Sequence, residues 1–279
     1  MARQSWRRCA TAINGARLAA LGSVAIALGL FAASGAVAQD SRGSLWKPRE
    51  NAAPAAGCRK NTFRIALDIG HDKTRPGATS ARGLTEFSYN HALAELVLTA
   101  LRANGFAAAF LIGESGAPMP LPRRSQIARE EQAGVFISLH HDSVQKQYFS
   151  EWQFAGHPHP YSDKFHGYSI FVSTGSRWAA DGMALANLLG RALTVRGLTP
   201  SLHHAEPIPG ENRTLIDPKL GIYRFDELAV LRGATMPALL LESGIIVNRD
   251  EEQAIQDGQY HRKVVAALID TISEYCNRR

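Results

Sequence analysis

Five short, mostly apolar runs, at 65–69, 107–112, 135–139, 169–172 and 238–241, alternate with stretches of helical periodicity. Each run is only four to six residues long, the length of a strand buried on both faces rather than of a helix. Between them, Leu93, Leu96, Val97, Ala100 and Leu101 recur at the spacing of one helical face. Residues 124–132 form a shorter helical candidate. Met183, Ala186, Leu189 and Leu193, and later Val264, Val265, Leu268, Ile269 and Ile272, mark two more stripes. Strands alternating with helices predict an α/β fold: a single domain with a largely parallel, twisted central sheet and helices on both faces.

Residues 1–38 predict a secretory signal peptide. They carry Arg3, Arg7, Arg8 and Arg17 with no acidic residue, then an apolar run at 18–31, then Ala36-Val37-Ala38. Ser34 and Gly35 interrupt the run before it reaches the roughly 20 apolar residues of a membrane span. A secreted, periplasmic protein of the cell envelope is therefore expected, with no membrane span after signal cleavage. Residues 39–62, rich in Ser, Ala, Pro, Arg and Gly, read as a linker, and 63–279 as the folded domain. The formal charge of +6 includes the four signal arginines, so cleavage leaves +2. That small excess, with no basic stripe, excludes a nucleic-acid partner. Cys9 leaves with the signal. Cys58 and Cys276 then flank the patterned region, and in an exported protein such a pair predicts a disulfide, the alternative being two free thiols.

Three chemically able residues fall at strand ends. His71 follows the 65–69 run after Gly70, His140 follows 135–139, and Glu242 follows 238–241. In open α/β sheets the carboxyl edge of the strands is where ligands bind. Glu86 opens the helix that carries the Leu93 stripe, beside a candidate N-cap at Thr85. Two imidazoles and a carboxylate make a common catalytic zinc set, and His71, Glu86 and His140 could supply it, leaving Glu242 free to move a proton. Taken one at a time, each has a plainer reading: a solvated loop histidine, a helix N-terminal acid, a buried ion-pair partner.

The segments LDIGH ending at His71, RGLTEFSYN around Glu86, FISLHHD around His140 and MPALLLESGIIVNRDEE around Glu242 resemble four blocks of the zinc-dependent N-acetylmuramoyl-L-alanine amidases, the cell-wall amidases of the cell-separation type. The resemblance runs in family order from Phe63 to the C-terminus. It implies that 63–279 is a zinc amidase catalytic domain with Zn2+ as cofactor and peptidoglycan as partner, and it leaves open an activator protein. The bond implied is the amide between N-acetylmuramic acid and L-alanine. By the same resemblance His71, Glu86 and His140 are the metal ligands and Glu242 is the catalytic residue. Arg124, Asn248 and Glu252 fall on scaffold positions, as do Gly77 and Ala78 after the first block.

This chain departs from the family pattern with Ile69 before Gly70-His71, and with His141 and Asp142 after the second ligand. His141 is therefore a competitor to His140, although the motif register favours His140. Asp142 either orients a ligand or caps the strand. Two stretches look long for the family: 144–166, with Tyr148, Phe149, Trp152, Phe154, His157, His159 and Tyr161, and 203–220, with His203, His204 and Glu206. Such loops suit glycan or peptide recognition, or packing of a loop on its own domain. His-rich tracts also bind metal, but the four blocks already complete one site. Competing functions are a catalytically silent peptidoglycan-binding protein, which would have no use for Glu242, and another zinc peptidase or amidohydrolase of the envelope.

Overall fold

Ile65–Ile69, the first strand (β1), is buried along its whole length, as expected of a strand covered on both faces. The computed structural model describes residues 58–279; the expected signal peptide and the linker up to residue 57 lie outside the described residues. After β1 come α1 (Glu86–Ala103), β2 (Phe110–Ile112), α2 (Leu121–Glu130) and β3 (Val135–Asp142). A hairpin of β4 (Ser150–Phe154) and β5 (His157–Tyr161) follows, then β6 (Ser169–Val172), α3 (Ala179–Val195), β7 (Thr214–Asp217) and β8 (Ile222–Arg224). The chain closes with α4 (Ala229–Arg232), β9 (Ala238–Ile245), α5 (Arg249–Gln256) and α6 (Gln259–Asn277).

Seven strands form one sheet in the order β2-β1-β3-β9-β6-β8-β7, and the hairpin stands apart from it. Pairings from β2 through β9 are parallel, β6 runs antiparallel to β9, and β7 antiparallel to β8. The largely parallel sheet is as expected, with antiparallel pairing confined to one side. Alternation along the strands splits the core in two. Ile65, Leu67, Ile69, Val135, Ile137, Leu139, Leu239 and Leu241 face α1, α3 and α6. Ala66, Phe136, Phe171 and Leu240 face α2 and α4.

Two strands are longer than their apolar runs. β3 continues through His140, His141 and Asp142, and β9 continues through Glu242 to Ile245. Ladder hydrogen bonds need only backbone, so polar side chains extend a strand where their setting satisfies them. The run at 107–112 shortens instead to the three residues of β2. The hairpin, β7, β8, α4 and α5 carry no strong apolar pattern and were not separable from loop by periodicity.

Cys58 and Cys276 form a disulfide, with their Cα atoms 5.2 Å apart. Thr62 and Phe63 turn back onto the Arg59 carbonyl, so the last residues of the expected linker already belong to the domain. A cross-link spanning 218 residues removes denatured-state freedom worth about 5 kcal/mol on chain-entropy arguments.

Candidate active site

The pleat decides which face each strand-end residue serves. His140 on β3 and Glu242 on β9 are register partners in adjacent parallel strands, so their side chains leave the sheet side by side on the α2 face. His141, one residue on, must point the opposite way. It does: His141 is buried, its Nδ1 lies 2.8 Å from Asn90 Oδ1, and its Nε2 lies 3.0 Å from His261 Nε2. His141 therefore faces away from His71 and Glu86, whereas His140 lies beside them.

His71, Glu86 and His140 come together. Glu86 Oε2 lies 3.0 Å from His71 Nε2, and Glu86 Oε1 lies 2.9 Å from His140 Nδ1. One donor atom from each residue falls within 4.8 Å of the others, a compact N,N,O set of the kind that suits zinc. Burial alone would raise the Glu86 carboxyl, yet hydrogen bonding to His140 and His71 holds it well below the usual carboxylate range. Burial would also lower His71, but the adjacent Glu86 outweighs it and raises the imidazole. The two imidazole nitrogens and the two carboxylate oxygens thus meet at hydrogen-bond distance.

Two glycines make this packing feasible. A Cβ on Gly70 would overlap the His140 ring, and a Cβ on Gly77, which has φ 78°, would overlap Glu86 Oε2. His71 itself adopts the left-handed conformation at φ 68°, a cost of order 1 kcal/mol for a side-chain-bearing residue. Its backbone is fixed from below by Arg124. This fully buried guanidinium donates to the carbonyls of Ile69 and His71 and pairs with Asp68 Oδ1 at 2.8 Å. Asp68 Oδ2 in turn accepts from Ser138 Oγ at 2.6 Å, which ties β1 to β3 just short of the site.

Glu86 is oriented from its own helix. Asn90, one turn along α1, donates from Nδ2 to Glu86 Oε1 at 3.3 Å and to the Gly70 carbonyl at 3.1 Å. Ala78 N–H donates to Glu86 Oε2 at 3.1 Å. Asn90 Oδ1 faces His141, so a polar chain runs His261, His141, Asn90, Glu86. Thr85 occupies the N-cap position of α1 without a side-chain cap hydrogen bond. Sequence reasoning missed Asn90 and His261. The i, i+4 spacing of Glu86 and Asn90 was the available signal for the first, and His261 gave none.

Glu242 is half-buried as a residue, but its Oε2 is closed to solvent and makes no hydrogen bond. Burial, then the Asp142 and Glu86 carboxylates, push its carboxyl well above the usual range. Below the site, Asn248 caps α5 by accepting from the N–H groups of Asp250 and Glu251. Buried Glu252 pairs with Arg82 at 2.7 Å and accepts from Tyr89 Oη at 2.9 Å. The hairpin packs beside the segment that leads into Glu86: Trp152 Nε1 donates to the Ala81 carbonyl at 2.8 Å, and Arg82 faces the Trp152 and Phe154 rings.

Residues 65–274 match the family described as N-acetylmuramoyl-L-alanine amidase. Probable N-acetylmuramoyl-L-alanine amidase AmiB of Haemophilus influenzae is 24% identical over 240 residues, 74% of this chain and 50% of the relative. N-acetylmuramoyl-L-alanine amidase AmiC of Neisseria meningitidis is 25% identical over 252 residues, 82% of this chain and 56% of the relative. The chain thus spans about half the length of these curated relatives. The solved catalytic domain of CwlV from Bacillus (Paenibacillus) polymyxa superposes with a TM-score of 0.57 at 25% identity, covering 76% of this chain and 97% of that one. With a family match over most of its length, the chain belongs to the N-acetylmuramoyl-L-alanine amidase family.

Proposed function

We propose that this protein is an exported zinc amidase that hydrolyses the amide between the lactyl carboxyl of N-acetylmuramic acid and L-alanine in peptidoglycan. The observation that carries the reading is the convergence of His71, Glu86 and His140 on one point, with Glu242 beside His140 in register. His71, Glu86 and His140 would hold a zinc ion, which when bound would supply the Lewis acidity that polarises a carbonyl and makes water a usable nucleophile near neutral pH. Glu242 accepts the proton of the attacking water and delivers it to the departing amine of L-alanine. Its unpartnered Oε2 supports that role, because a buried polar atom without a partner costs about 1–3 kcal/mol unless function supplies one. Asn90 and the Ala78 N–H hold Glu86 in place, and Arg124 holds the His71 backbone.

The family supports this choice of bond, and the residues of the site support this chemistry. A silent peptidoglycan-binding protein would have no need of a glutamate beside the cluster with a buried, unpartnered Oε2. Among the described residues no helix is long and apolar enough to cross a membrane. Digestion of purified sacculi tests the reading. Released L-alanine amino termini, dependent on zinc, are the expected result. New reducing sugar ends, or no cleavage by metal-loaded protein, would overturn it.

A further inference from the structure

A second group of metal-type ligands lies on the same sheet edge and takes no part in the chemistry above. Between His140 and Asp142 the register of β3 against β9 shifts, and Asp142 meets two histidines from a short 3-10 turn, His203–Ala205. Asp142 Oδ2 lies 2.9 Å from His204 Nε2 and 3.4 Å from His203 Nε2. One donor atom from each of the three residues falls within 4.8 Å of the others; Asp142 and His203 are buried and His204 is largely so.

The far nitrogen of each ring is already engaged. His204 Nδ1 lies 2.8 Å from Glu211 Oε2, and Glu211 Oε1 accepts from Gln145 Nε2 at 2.7 Å. His203 Nδ1 lies 2.9 Å from Ser201 Oγ. Phe165 stacks on His203, and Phe171 and Tyr223 box His204 edge-on. Both imidazoles therefore turn the same nitrogen, Nε2, toward one carboxylate oxygen. This is how metal-bound histidines are held: one ring nitrogen on the ion and the other hydrogen-bonded to a carboxylate or hydroxyl that fixes the tautomer.

The decisive atom is His203 Nε2. His203 is 2% exposed, and this nitrogen has no hydrogen-bond partner. A proton on His204 satisfies Asp142 and Glu211 but leaves His203 Nε2 stranded against an oxygen. A cation at the common point satisfies all three. Ligand atoms about 2.0–2.1 Å from a tetrahedral ion stand roughly 3.3 Å apart, and the observed 2.9 and 3.4 Å fall on either side of that value.

We propose that Asp142, His203 and His204 form a second divalent-cation site, of zinc-type donor chemistry, separate from the His71–Glu86–His140 cluster. Stepwise zinc titration of metal-stripped full-length protein, read by native mass spectrometry, tests it. The wild type is expected to take two ions. His140→Ala should keep one, held at the second site, and His140→Ala combined with His203→Ala should take none. Asp142→Asn, which keeps the size and most of the hydrogen bonding, guards against misfolding of the histidine variant and should weaken the second equivalent at least tenfold. Cobalt gives an independent count, because two sites yield two saturating absorption steps. A single ion in the wild type that His140→Ala abolishes would overturn the second site while leaving the first intact. A single ion that survives His140→Ala and is lost in His203→Ala would instead support the second site and overturn the first.

Discussion

His71 follows the end of β1, Glu86 opens α1 and His140 lies on β3, whereas His203 and His204 share one 3-10 turn in the loop between α3 and β7. The first group is fixed by regular elements, by two glycines that admit the rings, and by a buried arginine under the strand ends. The second is fixed by Ser201, Glu211 and Gln145, all from loop segments, with aromatic rings around it. Both clusters reach a similar donor spacing by different means. A strand-end site inherits its precision from the sheet, while a loop site must carry its own supporting shell.

That contrast can be broken most sharply at Glu242, which neither cluster uses as a ligand. Glu242→Gln keeps size and hydrogen-bonding reach but cannot accept a proton. Turnover should fall by roughly 10²–10⁴-fold, with zinc stoichiometry unchanged by elemental analysis. A variant that loses zinc would instead make Glu242 a ligand and reopen the place of Glu86.

Next in size is Arg124. Arg124→Met leaves Asp68 buried and unpaired, and breaking a buried pair on one side costs about 3–5 kcal/mol. Chemical denaturation should show that loss. If the variant folds, its metal defect should be confined to the His71 cluster, since nothing in the loop cluster touches Arg124. An equal defect at both clusters would mean that they share a scaffold after all.

The His141–His261 pair gives a pH signature. Both imidazoles are held neutral by burial, His261 down to about 4. In the unfolded chain His261 binds its proton near 6.5, so between those values the unfolded state carries more protons and folding weakens as pH falls. The loss through His261 is bounded at roughly 3 kcal/mol, complete once pH drops below the folded value. His261→Gln can still donate to His141 but does not titrate, and its melting temperature should fall less between pH 6.5 and 4. Identical profiles would assign the acid sensitivity elsewhere.

The smallest effect expected is at Asn90. Asn90→Ala removes the donor that orients Glu86, and loss of such a partner weakens metal affinity by about 10–100-fold. Competition with a chelator would measure it. Affinity at the loop cluster should stay as it is, which sharpens the contrast.

Most of the first cluster was legible in the sequence because buried strands announce themselves as apolar runs and the residues at their ends stand out. His71, His140 and Glu242 came from that logic and Glu86 from its place at the start of a helix, each together with the family blocks. Periodicity could not say that β3 and β9 run on through His140 and Glu242, since a polar residue ends an apolar run without ending a ladder. Nor could it choose between His140 and His141, although once β3 is extended the pleat makes the choice. The hairpin was read only as an aromatic-rich insert: its strand Ser150–Phe154 is largely exposed, so no buried face imprinted a pattern. His203 and His204 were noticed as a tract, but the contact with Asp142, about 60 positions away, depends on loop conformation.

The Cys58–Cys276 bond closes the domain into a covalent ring. A single backbone cut anywhere between those residues, in the exposed hairpin or in the 203–220 loop, would leave one molecule rather than two fragments. Nicked protein would then migrate whole on a gel until a reductant is added, and the halves would stay at each other's side at an effective concentration no dilution could lower. Where the chain meets a protease, a single cut would be survivable as long as the ring is shut.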